Sequence, residues 1–235
     1  IPTGPFMQLF RRVPFGRLAD FAILDTRQYR TPQANGNGLK PQVGEAINPK
    51  ATILGPRQEA WLKRTWLESK ARWNVMAQQV LMARVDRLPG PVEGFPMDKW
   101  AGYEVCRQRV MQTLADLRLP NPIVLTGDIH SNWACDLPLD YNKPDKTVIG
   151  TEFVCTSLSS GGNGSEKLDY TDAMIAENPW VKLQNAERGY VMCHVTPESW
   201  SADFRVLSDI TKPGGKISTR HSFVVPNGQP GARRA

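Results

Sequence analysis

Three short apolar runs alternate with two amphipathic segments along the first half of the chain. The runs at residues 21–24, 73–76 and 123–125 each end in polar or turn residues, which is typical of buried β-strands. Between the first two runs, Pro56 follows Gly55, and Leu62 and Trp66 share one helical face. We therefore predict a helix from just after Gly55 to about Lys70.

A second helix is predicted between the second and third runs, with Asp98 as its N-cap and Pro120 at its end. Its apolar positions recur at helical spacing: Tyr103, Cys106, Val110, Leu114 and Leu117. Later apolar runs at residues 148–154, 190–195, 200–206 and 223–225 follow one another with no helical pattern between them. This order predicts an α/β layer packed with an antiparallel sheet.

Two segments lack large apolar residues and are predicted to be loops. Residues 31–49 are rich in Pro, Gly, Asn and Gln, and long ordered loops in compact domains are often functional. Residues 226–235 include Gly228, Pro230 and Arg233, and we predict a flexible tail there.

Composition limits the classes of partner. The 235 residues suffice for one large domain or two small ones, and the absence of any apolar run of about 18 residues excludes a transmembrane helix. The sequence begins at Ile1 without a visible signal peptide. The net charge of +6 comes from scattered residues, so we expect no specific nucleic-acid recognition.

The cysteines and histidines limit the metal chemistry that this chain can perform. The four cysteines form no C-x-x-C motif, so they are interpreted as small buried apolar residues rather than zinc ligands. Of the three histidines, His194 and His221 fall in apolar strand runs and are interpreted as structural. Only His130 lies in a sequence context that favours chemistry.

The strongest chemical signal is the segment Thr126-Gly127-Asp128-Ile129-His130. It follows a predicted buried strand, and ligands of α/β sheets gather just beyond the carboxyl ends of strands. A carboxylate and an imidazole two residues apart can present an oxygen and a nitrogen to a metal ion. The alternative is a structural turn in which Asp128 caps the backbone and His130 packs against Trp133.

Two further segments could contact an anion. Arg27 follows the first strand, where its guanidinium could grip a phosphate while Asp25 faces a metal site; alternatively, Asp25 caps a turn and the arginines lie in solvent. Residues 157–165 (SLSSGGNGS) could form an anion nest, although a plain flexible loop is the favoured interpretation.

Taken together, seven motifs resemble the C-terminal half of the PhoD-type alkaline phosphatases/phosphodiesterases, which are relatives of the calcineurin-like metallophosphoesterases. In chain order these motifs are residues 24–30 (LDTRQYR), 73–75 with 78–80 (WNV, QQV), 97–100 with 102–103 (MDKW, GY), 125–133 (LTGDIHSNW), 151–154 (TEFV), 159–162 (SSGG) and 188–190 (RGY). Each motif is weak alone, but their common order extends the resemblance from about Phe15 to Val225.

The resemblance implies a four-layer αββα sandwich with mixed sheets around a centre of iron and calcium. It implies hydrolysis of phosphate monoesters and diesters in a periplasmic or extracellular location. By the same resemblance, Asp128 and His130 are metal ligands, Asn132 is a further candidate ligand, and Arg27 is placed near the catalytic site.

The family's remaining ligands belong to an N-terminal half whose motifs do not occur in these residues. The resemblance therefore implies that residues 1–225 are the C-terminal portion of a single metallophosphatase domain, with the missing half as its partner. The alternative is a truncated, non-catalytic domain that binds phosphoesters or polyanions through Arg27, Arg30 and the Ser-Gly segment.

Overall fold

A computed structural model describes residues 7–235 of the chain. Its elements in chain order are β1 (Arg11–Phe15), β2 (Ala19–Ile23), β3 (Leu39–Lys40), α1 (Gly55–Glu68), β4 (Trp73–Ala77), β5 (Phe95–Pro96), α2 (Glu104–Asp116), β6 (Pro122–Thr126), β7 (Asn132–Pro138), β8 (Val148–Val154), α3 (Thr171–Glu177), β9 (Val181–Asn185), β10 (Gly189–Val195), β11 (Ser199–Leu207), β12 (Ile217–Pro226) and β13 (Arg233–Arg234). Short 3-10 helices lie at Gly44–Ile47, Trp100–Tyr103 and Pro144–Lys146.

A seven-stranded mixed sheet organises the fold, with the order β1-β2-β4-β6-β8-β7-β9. Its four central strands β2, β4, β6 and β8 are parallel. The carboxyl ends of these strands therefore lie along one edge of the sheet, which is where ligands bind in α/β proteins. Strands β1, β7 and β9 run antiparallel to their neighbours.

The two faces of this sheet bury separate apolar cores because successive side chains of a strand point to opposite faces. On β6, Val124 packs into the core that includes α1 and α2, whereas Ile123 packs into the core facing the second sheet. That second sheet is antiparallel, with the order β10-β11-β12-β13. The described residues thus form three layers, helices on sheet on sheet.

The mixed α/β class with mixed sheets, expected from the sequence, is confirmed. Strands β2, β4 and β6 alternate with α1 and α2, and antiparallel strands follow, as the pattern of apolar runs predicts. Within residues 7–235, no fourth layer covers the outer face of the smaller sheet, and Met192 on β10 is exposed there.

The start of the second helix differs from the prediction. Asp98 does not cap α2, which begins at Glu104 after a 3-10 turn, and the Asp98 carboxylate bonds to arginine side chains instead. Gly102 permits this turn because a Cβ at its position would lie 2.1 Å from the Met97 carbonyl oxygen. The helical periodicity locates α2 but carries no information on the tight turn before it.

Residues 226–235, predicted as a flexible tail, pack against the sheets in this structure. Ala232 is 9% exposed, and its backbone N–H donates to Asp136 Oδ1 at 2.8 Å. Gly231 donates to Thr151 Oγ1 at 3.1 Å, and β13 pairs with β12. The tail packs on the sheets because the Asp136 carboxylate and Thr151 hydroxyl accept its backbone hydrogen bonds, contacts that composition does not encode.

Candidate functional site

The Asp128–His130 turn follows β6 at the carboxyl edge of the parallel strands. Asp128 and His130 have φ angles of +69° and +55°, a left-handed conformation that is costly for residues other than glycine. The Ile129 N–H donates to the Gly127 carbonyl oxygen at 2.8 Å, which tightens the turn. Both side chains are exposed on this edge, as a role in binding requires.

Two cations from other segments contact the Asp128 carboxylate. Arg27 Nη2, just beyond β2, lies 3.0 Å from Oδ1, and Lys99 Nζ contacts Oδ2 from the segment before the 3-10 turn. The topology explains this convergence, because β2 and β6 end at the same edge of the sheet. The structure thus brings the predicted Arg27, Asp128 and His130 to one edge and adds Lys99.

The Asp98 carboxylate holds the guanidinium groups of Arg27 and Arg30. Its Oδ1 accepts from Arg27 Nη1 at 2.9 Å and Arg30 Nη1 at 2.6 Å, and it also contacts the Gln33 amide. Partial burial opposes ionisation of Asp98, but the hydrogen bonds from Arg27 and Arg30 outweigh it and lower the pKa of this carboxyl group to about 2. Asp98 therefore stays ionised and fixes both guanidinium groups.

Asp25 has the structural role that the sequence left as an alternative. Its Oδ1 accepts the backbone N–H groups of Arg27 and Gln28 at 2.9 and 3.0 Å, which closes a turn after β2. The Asp25 side chain is buried in this arrangement. It thereby sets the direction in which Arg27 leaves the strand and is not itself a ligand.

Asn132, which the resemblance makes a candidate metal ligand, is hydrogen-bonded within the sheet. Its side chain is fully buried, with Nδ2 donating to Asn185 Oδ1 at 3.0 Å and Oδ1 accepting from the Thr156 N–H at 3.1 Å. Both ends of the amide are therefore engaged within the sheet. Metal ligation by Asn132 would require breaking contacts that hold β7, and the assignment of Asn132 as a ligand stays a prediction.

The Ser-Gly segment is anchored rather than a plain flexible loop. Arg188 donates to the carbonyl oxygens of Gly161 and Gly162 at 3.2 and 2.9 Å, and to that of His130 at 2.7 Å. Sequence reasoning missed Lys99, Asp98 and Arg188 as parts of this site. All three residues occur in the motifs that carry the family resemblance. That is the signal by which they could have been found, but a motif does not specify side-chain contacts.

Metal binding requires more donors than these residues supply. No group of three or more His, Cys, Asp or Glu side chains within residues 7–235 is placed to hold an ion. Asp128 and His130 provide two donors on one turn, and two donors do not complete a coordination shell. The described residues alone therefore do not fit a resident metal.

A buried carboxylate, that of Glu152, forms hydrogen bonds beneath the same edge of the sheet. Glu152 on β8 is fully buried and accepts from the Met82 and Ala83 N–H groups at 2.8 Å each and from Thr126 Oγ1 at 2.6 Å. Burial raises the pKa of this carboxyl group to about 7 against the effect of these hydrogen bonds. Glu152 thus ties the segment after β4 to the end of β6.

Comparison with known proteins identifies the family of the chain. A model of the PhoD-like phosphatase family matches residues 2–204. The chain belongs to the PhoD-like phosphatase family. This confirms the family resemblance that the ordered motifs indicated.

Two relatives show how much of a PhoD-like protein the chain represents. Alkaline phosphatase D of Bacillus subtilis (strain 168) is 46% identical over 234 residues, which cover all of this chain and 40% of the relative. A solved structure of PhoD superposes with a TM-score of 0.96 at 46% identity, covering all of this chain and 45% of that one. The chain therefore spans less than half the length of both relatives.

Across residues 7–235, every helix falls short of the length and apolar character needed to cross a bilayer.

Proposed function

We propose that this chain forms the C-terminal part of a metal-dependent phosphoesterase that hydrolyses phosphate monoesters and diesters. The observation that supports this most strongly is the convergence of Arg27, Lys99, Asp128 and His130 at the carboxyl edge of the sheet in a PhoD-like phosphatase. The substrate class is the one that the family resemblance implies, and two cations beside an exposed carboxylate and imidazole suit a phosphoryl group.

The proposed centre contains iron and calcium, with Asp128 and His130 as this chain's ligands. Two donors do not fit a complete centre, so the proposal assigns the other ligands to the missing N-terminal half. When bound, such metals stabilise negative charge on the phosphoryl oxygens. This chain's own contribution is to orient Asp128 through Arg27 and Lys99, and to hold Arg27 through Asp98.

A non-catalytic phosphoester or polyanion binder is the second candidate, since Arg27, Arg30 and Lys99 are grouped at one edge. A chimera separates the two: B. subtilis alkaline phosphatase D in which this chain replaces its matching segment. If the protein is an enzyme, Asp128→Ala abolishes release of p-nitrophenol from p-nitrophenyl phosphate. If it is only a binder, the unsubstituted chimera binds inorganic phosphate without turnover, and Arg27→Ala weakens that binding.

The proposal also includes a periplasmic or extracellular location and no sequence-specific nucleic-acid partner. The family resemblance supports the first and the scattered basic residues support the second. Fractionation of the source cells tests the location, and detection of the protein in the cytoplasmic fraction alone would contradict it.

A further inference from the structure

Five hydrogen-bond acceptors surround the buried guanidinium of Arg188. The residue is 6% exposed, and its guanidinium donates to the carbonyl oxygens of Gly161, Gly162, His130 and Ala186. Thr156 Oγ1 completes the set at 3.4 Å. Each acceptor is neutral, so the role of Arg188 is to hold backbone in place rather than to pair with a charge.

These contacts connect the Ser-Gly segment with the Asp128–His130 turn, two loops that are far apart in sequence. Backbone hydrogen bonds also hold the Ser-Gly segment against the residues around Arg188. The segment 157–165 is fastened at both ends by backbone hydrogen bonds, from Gly189 N–H to Ser157 O at 3.1 Å and from Ala186 N–H to Ser165 O at 3.0 Å. Gly164 permits the close approach, since a Cβ there would lie 1.8 Å from the Ala186 carbonyl oxygen. The Ser-Gly segment therefore lies against residues 186–189.

The same guanidinium reaches the Asp128–His130 turn. Nη1 lies 2.7 Å from the His130 carbonyl oxygen, and His130 is the residue held at a φ of +55°. A non-glycine residue in this conformation costs on the order of 1 kcal/mol or more and persists only where surrounding contacts fix it. Arg188 supplies one such contact on the backbone of His130 itself.

We propose that Arg188 is a positioning residue. It fixes the left-handed backbone at His130, and through it the direction of the imidazole, by clamping this turn to the Ser-Gly segment. The inference deepens the proposed phosphoesterase function and rests on it for its kinetic consequence. The structural consequence, that Arg188 orders both loops, does not depend on activity.

Hydrogen exchange tests the structural consequence in the same chimera. In Arg188→Lys, the ammonium cannot reach acceptors on both sides. The hydrogen-bonded amides of Ile129 in the turn, and of Ala186 and Gly189 that hold the Ser-Gly segment, therefore exchange roughly tenfold faster or more. Arg107→Lys is the matched control, because Arg107 is also buried but bonds to Glu104 on α2. Equal exchange at both segments in Arg188→Lys and the unsubstituted chimera would overturn the proposal.

Kinetics of the chimera tests the functional consequence. We expect Arg188→Ala to lower kcat roughly 100-fold with a small change in KM, and millimolar guanidinium to restore part of kcat while urea does not. A loss that matches the Arg107→Lys control, or that guanidinium leaves unchanged, would overturn the positioning role. An unsubstituted chimera without activity would instead contradict the proposed function. The hydrogen-exchange result would still decide whether Arg188 orders both loops.

Discussion

Asn132 lies two residues beyond His130, and a substitution can distinguish a structural role of its side-chain amide from a role as a metal ligand. Because its Nδ2 faces the Asn185 side-chain oxygen and the Glu187 carbonyl oxygen, Asn132→Asp puts a third oxygen against two acceptors. We expect a loss of about 1–3 kcal/mol in the free energy of unfolding of this chain, measured by urea denaturation. The exposed Asn142→Asp is the control and leaves stability nearly unchanged.

A metal ligand would behave in the opposite way, since a carboxylate binds a cation more tightly than an amide does. Unchanged stability of Asn132→Asp together with a raised metal content would therefore contradict the structural assignment.

The Asp98 carboxylate makes the stability of the fold depend on pH in the acidic range. Its pKa is about 2 in the folded chain and near 3.9 in an unfolded one, so its carboxylate stabilises the fold above about pH 4. That contribution is lost as the pH falls toward 2. Because solvent screens part of this cluster, we expect Asp98→Asn to cost about 1 kcal/mol at pH 6.

Denaturation of the wild-type chain and Asp98→Asn at several pH values measures this contribution. The difference in stability should narrow steadily between pH 4 and pH 2. A difference that stays constant over this range would show that the Asp98 carboxylate is not held by Arg27 and Arg30.

At the residue scale, the sequence made Asp128, His130 and Arg27 candidates because each follows a predicted strand, and the structure brings them to one edge of the sheet. The sequence could not assign the carboxylate of Asp98, which has the residue type of an N-cap and precedes the helical pattern in the sequence. The deciding contact, 2.6 Å to Arg30 Nη1, spans 68 residues of chain and depends on the fold of the loop between them. Local patterns do not encode such distant pairings.

At the scale of elements, Glu152 connects β8 to the segment that follows β4. Its pKa of about 7 exceeds the usual value near 4.3, so the folded chain holds the proton more tightly than the unfolded chain does. By linkage, this group's contribution is greatest below about pH 4 and falls as the pH rises to about 7. The change across that window is on the order of 3–4 kcal/mol.

Comparison with Glu152→Gln isolates this effect, because glutamine does not titrate. We expect the stability of the wild-type chain relative to Glu152→Gln to fall between pH 4 and pH 8, as measured by denaturation with urea. A relative stability that rises over the same range would mean that the Met82, Ala83 and Thr126 donors keep Glu152 ionised throughout.

The sequence predicts the order of the helices and strands better than it predicts the residues at which they begin and end. Buried parallel strands and amphipathic helices leave clear periodic signals, and α1 ends within two residues of the predicted Lys70. The start of α2 and the packing of residues 226–235 depend on single contacts, such as that of Ala232 N–H with Asp136. Periodicity carries no signal for these contacts.

At the scale of the whole molecule, the described chain leaves apolar surface on sheet edges. Phe15 on the edge strand β1 is 68% exposed, and Met192 on the edge strand β10 is 45% exposed. Unpaired edges with exposed apolar residues favour association. This surface is consistent with the proposal that the chain works together with a missing half of the domain.

The rate of phosphate release by the chimera tests the central claim most directly. We predict that the chimera hydrolyses p-nitrophenyl phosphate, that Asp128→Asn and His130→Gln each lower kcat by roughly 1,000-fold or more, and that the exposed control Asp116→Asn does not change it. A folded chimera without activity, or one in which Asp128→Asn and His130→Gln match Asp116→Asn, would contradict the account.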